Sequence, residues 1–208
     1  MRRFKLMALL LVVCFSSQKL FAQDLQLGLT GGLNYNIFPA DNGTVNGLGF
    51  HLGATADIGV SDMLNFRAGL ILSDRGIQEK STLELLGSTT KIKSNSLPLY
   101  LTIPLMYKYQ TGSLSFFAGP QFSLLLTNRV AVQTTVNGDE VTKTVVSGSD
   151  ATNGMRGFTY GVTAGAEYGL NDNLGVGLRY IRDLNSTTDS DLAEDFFNGI
   201  QLSFIYKL

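Results

Sequence analysis

Leu97-Pro98-Leu99-Tyr100-Leu101-Thr102-Ile103-Pro104-Leu105-Met106-Tyr107-Lys108-Tyr109 alternates strictly over thirteen residues. Leu97, Leu99, Leu101, Ile103, Leu105, Tyr107 and Tyr109 take every second place. Pro98, Tyr100, Thr102, Pro104, Met106 and Lys108 take the others. Successive strand side chains point to opposite faces, so this spacing makes one continuous apolar face and one mixed face. At 3.2–3.4 Å per residue, thirteen residues are about the length a tilted strand needs to cross a bilayer.

The same period recurs on both sides of this stretch. Residues 24–37, 48–60, 64–73, 114–126, 158–170, 174–181 and 200–208 each place apolar residues at alternate positions. Residues 25–37 do so with Leu25, Leu27, Leu29, Leu33, Tyr35 and Ile37. The total is eight strands. Their connections alternate too. Residues 61–63, 111–113 and 171–173 are tight polar turns, whereas 38–46, 76–94, 128–156 and 184–197 are long and polar. Short turns at one end and long loops at the other describe an all-β, eight-stranded antiparallel up-and-down transmembrane β-barrel, with the long loops outside the cell and both termini periplasmic.

A soluble sandwich or lipocalin-like barrel shows the same alternation with the apolar face inward. Three features favour the membrane form. The polar face carries glycine and charge and reads as free of bulk. The aromatics of the apolar face sort into two levels: Phe66, Tyr107, Tyr109, Phe116, Tyr168, Phe204 and Tyr206 near the turns, and Tyr35, Phe50, Phe158, Tyr160 and Tyr180 near the loops. Two such girdles mark two interfaces. Finally, Phe204, Tyr206 and Leu208 carry the alternation to the last residue, like the C-terminal assembly signal of outer-membrane barrels, with Leu208 where an aromatic is usual.

The first 22 residues read differently. Arg2, Arg3 and Lys5 precede the apolar run Leu6 to Phe15, and Leu20-Phe21-Ala22 closes a polar stretch, so residues 1–22 are expected to be a signal peptide cleaved after Ala22. The run is too short for an anchor helix. Cys14 follows Val13, where a lipidation signal needs a small residue, and as the single cysteine it excludes an internal disulfide. Removing four Lys/Arg from 16 leaves 12 against 17 Asp/Glu, a formal charge of −5. No basic stripe is left to bind nucleic acid.

The most distinctive stretch, 97–126, joins Ile103-Pro104-Leu105 to Ala118-Gly119-Pro120 across one turn. It resembles the PorT-family outer-membrane β-barrel domain, in which these two motifs recur together. Gly31-Gly32-Leu33-Asn34 and Gly165-Ala166-Glu167-Tyr168-Gly169 also fit. The resemblance spans 23–208 and implies the barrel fold. It brings no catalytic motif, and the family's name links it to a secretion and gliding apparatus. Pro98, Pro104 and Pro120 cannot donate to a ladder, so a bulge is expected where Pro104 and Pro120 approach.

The inward face is expected to hold the polar cluster Asp57, Arg67, Lys108, Glu167 and Arg179, together with Lys207. If Val60 faces Leu64, Asp57 stands opposite Arg67. If Leu170 faces Leu174, Glu167 is diagonal to Arg179. Lys207 is expected to meet Asp24. Eight strands leave room for side chains and no channel, so these charges read as a plug reinforced by Ile71, Met106, Phe117, Leu125 and Ile205. His51, the one histidine, faces the lumen and not the lipid, which argues against a barrel lipase. One histidine and no mature cysteine exclude an ordinary zinc site, so neither metal nor other cofactor is expected. Asp189, Asp191, Glu194 and Asp195 form an acidic loop whose spacing matches no calcium loop. Val130, Val132, Val136, Asn137-Gly138, Val141, Val145 and Val146 read as a hairpin with a type I′ turn whose edge could pair with a partner strand. The functional expectation is a non-enzymatic barrel in contact with outer-membrane lipid and lipopolysaccharide, with a protein partner reached through loops 76–94 and 128–156. The alternative is an accessory component of an export or envelope machine, and after it a narrow pore.

Overall fold

The structure, a computed structural model, describes residues 25–40, 43–85, 88–137, 139–188 and 196–208. The expected signal peptide, Asp24 and the acidic residues 189–195 lie outside these. Eight strands close a barrel: β1 (Leu25–Ala40), β2 (Gly43–Gly59), β3 (Leu64–Asp74), β6 (Leu99–Thr111), β7 (Leu114–Thr127), β10 (Phe158–Gly169), β11 (Leu174–Asp183) and β12 (Asn198–Lys207). The order around the barrel is β1-β12-β11-β10-β7-β6-β3-β2, so each barrel strand pairs antiparallel with its neighbours in sequence and β12 closes on β1.

The alternation sorts the side chains as a period of two requires. Positions with odd-numbered leucines and aromatics on β6 look outward, and Tyr100, Thr102, Met106 and Lys108 are buried inside. The outer surface is apolar along its height, from Leu48 at 75% exposed to Phe204 at 68%. Such a surface would be unstable against water and suits hydrocarbon. The tight turns are held by backbone bonds such as Val60 N–H to Leu64 O at 2.8 Å and Leu170 N–H to Leu174 O at 2.8 Å.

Two long connections are not loops. Residues 76–94, read from sequence as a polar loop, form most of a hairpin, β4 (Ile77–Leu85) and β5 (Ser88–Ser96). Residues 128–156 form β8 (Arg129–Val136), β9 (Asp139–Ser147) and one helical turn at Ser149–Thr152. The hairpins join through β5 and β8 into a second sheet, β4-β5-β8-β9, outside the barrel. The sequence of 77–96 hides this because threonine, serine and lysine occupy half of it, and its apolar residues are too few to show a period. Likewise the connection 38–46 is mostly strand, with β1 and β2 paired up to Ala40 and Gly43.

The expected bulge is displaced. Pro104 pairs with Gln121 and the register resumes unchanged at Tyr107 and Ala118, whereas the shift falls between Leu99 and Tyr100 at the loop end. The outward-inward alternation on either side of Pro104 has to be kept to hold the apolar face, so no residue is inserted there.

Candidate functional site: the closed lumen

The lumen is filled in layers. Nearest the turns, four charges from four strands meet. Asp57 on β2 stands opposite Arg67 on β3. Arg67 donates from Nε to Asp57 Oδ1 at 2.5 Å and from Nη2 to Oδ2 at 2.7 Å. Its Nη1 reaches Glu167 Oε1 on β10. Lys108 on β6 completes the set, with Nζ at 3.0 Å from Asp57 Oδ2 and 3.3 Å from Glu167 Oε2. Each carboxylate bridges both cations. These groups can bridge the barrel because the facing positions are small; Gly165, for example, leaves room for the Phe117 ring, whose nearest atom would lie 2.6 Å from an added Cβ.

Glu167 is diagonal to Arg179 in the ladder, since Arg179 pairs with Gly165. Its salt bridges nevertheless run to Arg67 and Lys108, and Arg179 donates through Nε and Nη2 to the Gln201 amide oxygen, the former at 2.8 Å. Glu167 therefore pairs across the lumen with β3 and β6 and not with its ladder neighbour on β11. The register sets Lys207 opposite Gly28, and its expected partner Asp24 lies outside the described residues. Ile71, Met106 and Phe117 are buried on the inward face as the plug reading expects, and Tyr100 joins them, so this face is not free of bulk.

Above this layer His51 is 2% exposed. Its Nδ1 lies 2.7 Å from Asn34 Oδ1 and its Nε2 2.9 Å from Ser203 Oγ. Asn34 Nδ2 donates to Phe50 O, Ser73 Oγ and Asp74 O, which fixes its oxygen toward the ring. Histidine Nδ1–H therefore donates to Asn34, and Nε2 accepts from the Ser203 hydroxyl. Serine, histidine and asparagine in this order have the connectivity of a nucleophile, base and orienting group. The adjoining cavity, about 20 Å³, holds one small ion or water and no ester. The trio is a packing element.

The loop end has a second charge layer that sequence reading missed. Arg75 is 2% exposed. It pairs through Nη1 with Asp183 Oδ2 at 2.6 Å and donates from Nη2 to Ser123 Oγ at 2.8 Å. Its guanidinium lies over the rings of Tyr100 and Phe197, each centroid 4.2 Å away. Phe197 packs on Phe38 and Ile181 and closes the mouth. Arg75 escapes notice in sequence because it follows the last alternating residue of its strand. Its signal is tertiary: four other strands supply its partners.

Among the described residues no group of His, Cys, Asp or Glu is placed to hold a metal ion. Among these residues no helix is long and apolar enough to cross a membrane, which says nothing of a barrel that crosses with strands. The family model for the outer membrane protein beta-barrel domain matches residues 21–189. No curated protein matches the sequence. Among solved structures the chain is similar to Neisserial surface protein A, with 14% identity, covering 89% of this chain and 100% of that one at a TM-score of 0.45. It is also similar to Ail, the attachment invasion locus protein of Yersinia pestis in complex with the heparin analogue sucrose octasulfate, with 11% identity, 89% and 99% coverage and a TM-score of 0.45. For OprG of Pseudomonas aeruginosa the values are 15%, 89%, 97% and 0.36.

Proposed function

The chain belongs to the family of outer membrane protein beta-barrel domains, and from that premise we propose that it is a closed, non-enzymatic barrel whose work is done by its second sheet. It is an outer-membrane protein. In such barrels the short turns face the periplasm and the long connections the outside, which puts β4-β5-β8-β9 at the cell surface. The observation that carries the reading is that the two longest connections pair with each other into this sheet.

The sheet offers two kinds of contact. Lys93, Gln133 and Lys143 form one cross-strand row, and Lys91 is on the same face two residues along β5. Lys91, Lys93 and Lys143 are exposed, and none forms a salt bridge among the described residues. That face suits the phosphates and carboxylates of surrounding lipopolysaccharide. The outer strand β9 presents an open edge with exposed Val141, Val145 and Val146, which suits strand addition by a protein partner.

Photo-cross-linking from Val145 and Lys93 in intact cells tests this. Adducts to one protein or to lipopolysaccharide are expected. Adducts only from the periplasmic turns 61–63 and 171–173 would overturn it. They would favour the second reading, an accessory component of an export or envelope machine. That reading draws on the PorT-family resemblance, whose two motifs lie on the paired neighbouring strands β6 and β7.

A further inference from the structure

The lower half of the lumen carries an odd charge. Arg67, Lys108 and Arg179 are three cations, and Asp57 and Glu167 are two carboxylates. Both carboxylates are taken by Arg67 and Lys108. Arg179 is 6% exposed and meets only the neutral Gln201 amide at Nε and Nη2. No carboxylate is within salt-bridge distance of it among the described residues. The other lumen charges do not help. Arg75 and Asp183 pair with each other, and neither Asp74 at the loop end nor Lys207 at the turn end makes an ion pair among the described residues. Arginine stays charged in proteins. An uncompensated guanidinium in a low-dielectric interior is costly.

A cavity of about 20 Å³ adjoins Arg179. Arg67 and the hydroxyl-bearing residues Thr30, Thr55 and Ser203 also line it. Glu167 borders it with both oxygens already engaged. The volume suits one water or one monatomic ion. We propose that the lumen binds one chloride-sized monovalent anion between Arg179, Arg67 and the hydroxyls of Thr30 and Thr55, the Ser203 proton being held by His51. The anion neutralises the five-charge cluster and is a resident part of the plug. At the turn end a vestibule of about 280 Å³ shares Glu167 and Ile205 with the cavity wall, so exchange with solvent runs through the four-charge layer and needs it to open transiently. At the loop end the Arg75–Asp183 layer and Tyr100 close the way. The site is independent of what the outer sheet binds.

Crystals of the detergent-folded chain grown in bromide give the direct test. An anomalous peak within reach of Arg179 and of Thr30 or Thr55 is expected; a peak elsewhere, or none, overturns the site. In solution, the midpoint of heat-induced unfolding is compared in chloride and in gluconate at one ionic strength. Wild type should be several degrees more stable in chloride, and Arg179→Gln should lose that difference. Equal wild-type midpoints in the two salts refute the proposal, and this arm needs no variant to fold.

Discussion

The lumen charges behave as a set, so single replacements should not cost alike. Asp57 receives three hydrogen bonds, two from Arg67 and one from Lys108. Asp57→Asn leaves three buried cations with one carboxylate. Breaking a buried pair from one side costs about 3–5 kcal/mol, and we expect that order of loss in unfolding titrations of the detergent-folded protein. Arg67→Gln leaves two cations with two carboxylates and frees Glu167 to meet Arg179 across the ladder diagonal. Its loss should be clearly smaller, and equal losses would contradict the charge count. Steric limits act beside the electrostatic ones. A Cβ on Gly165 would sit 2.3 Å from Leu178 O and 2.6 Å from the Phe117 ring. Gly165→Ala should therefore destabilise by about 1–3 kcal/mol through overpacking, read as a lower unfolding midpoint.

Among the elements, the two hairpins are tied at their tips by one residue. Asn137 has φ +51°, a region that an L side chain without local hydrogen bonding disfavours. Its backbone N–H donates to Thr89 O at 2.9 Å, and its Oδ1 accepts from Thr89 N–H at 2.9 Å. Asn137 thus sits at the β8–β9 turn and also fastens it to β5. Asn137→Ala removes one of those bonds and adds backbone strain, each about 1 kcal/mol. Limited proteolysis should cut the β4-β5-β8-β9 sheet faster in this variant while the barrel keeps its heat-dependent gel mobility. The Asn-Gly signal was legible in sequence. That the turn would dock on residues 88–96 was not, because the serine, threonine and lysine of β5 give no period to read.

The whole molecule is a barrel sealed twice. The Asp57-Arg67-Lys108-Glu167 layer fills it near the turns, and Arg75 stacked between Tyr100 and Phe197 fills it near the loops. Planar bilayers holding the purified protein should show no steady current above baseline. Arg75→Ala should leave that result intact, because the lower layer remains, while shifting protease access toward the loop end. Steady wild-type conductance would contradict the double seal.

The eight barrel strands, their outward apolar face and the opposition of Asp57 and Arg67 could be read from the chain. Each follows from local rules: a period of two, a tight turn, and a register that the turn dictates. What the chain could not give was everything set by distance across the barrel. Glu167 pairs with Arg67 and Lys108 from strands on the far side of the ladder order, and Arg75 finds Asp183 from 108 residues away. The pairing of β5 with β8 likewise joins connections that meet only once the barrel has closed. Strand pairing is written in neighbouring residues, whereas closure of the barrel decides which distant charges and loops share a space.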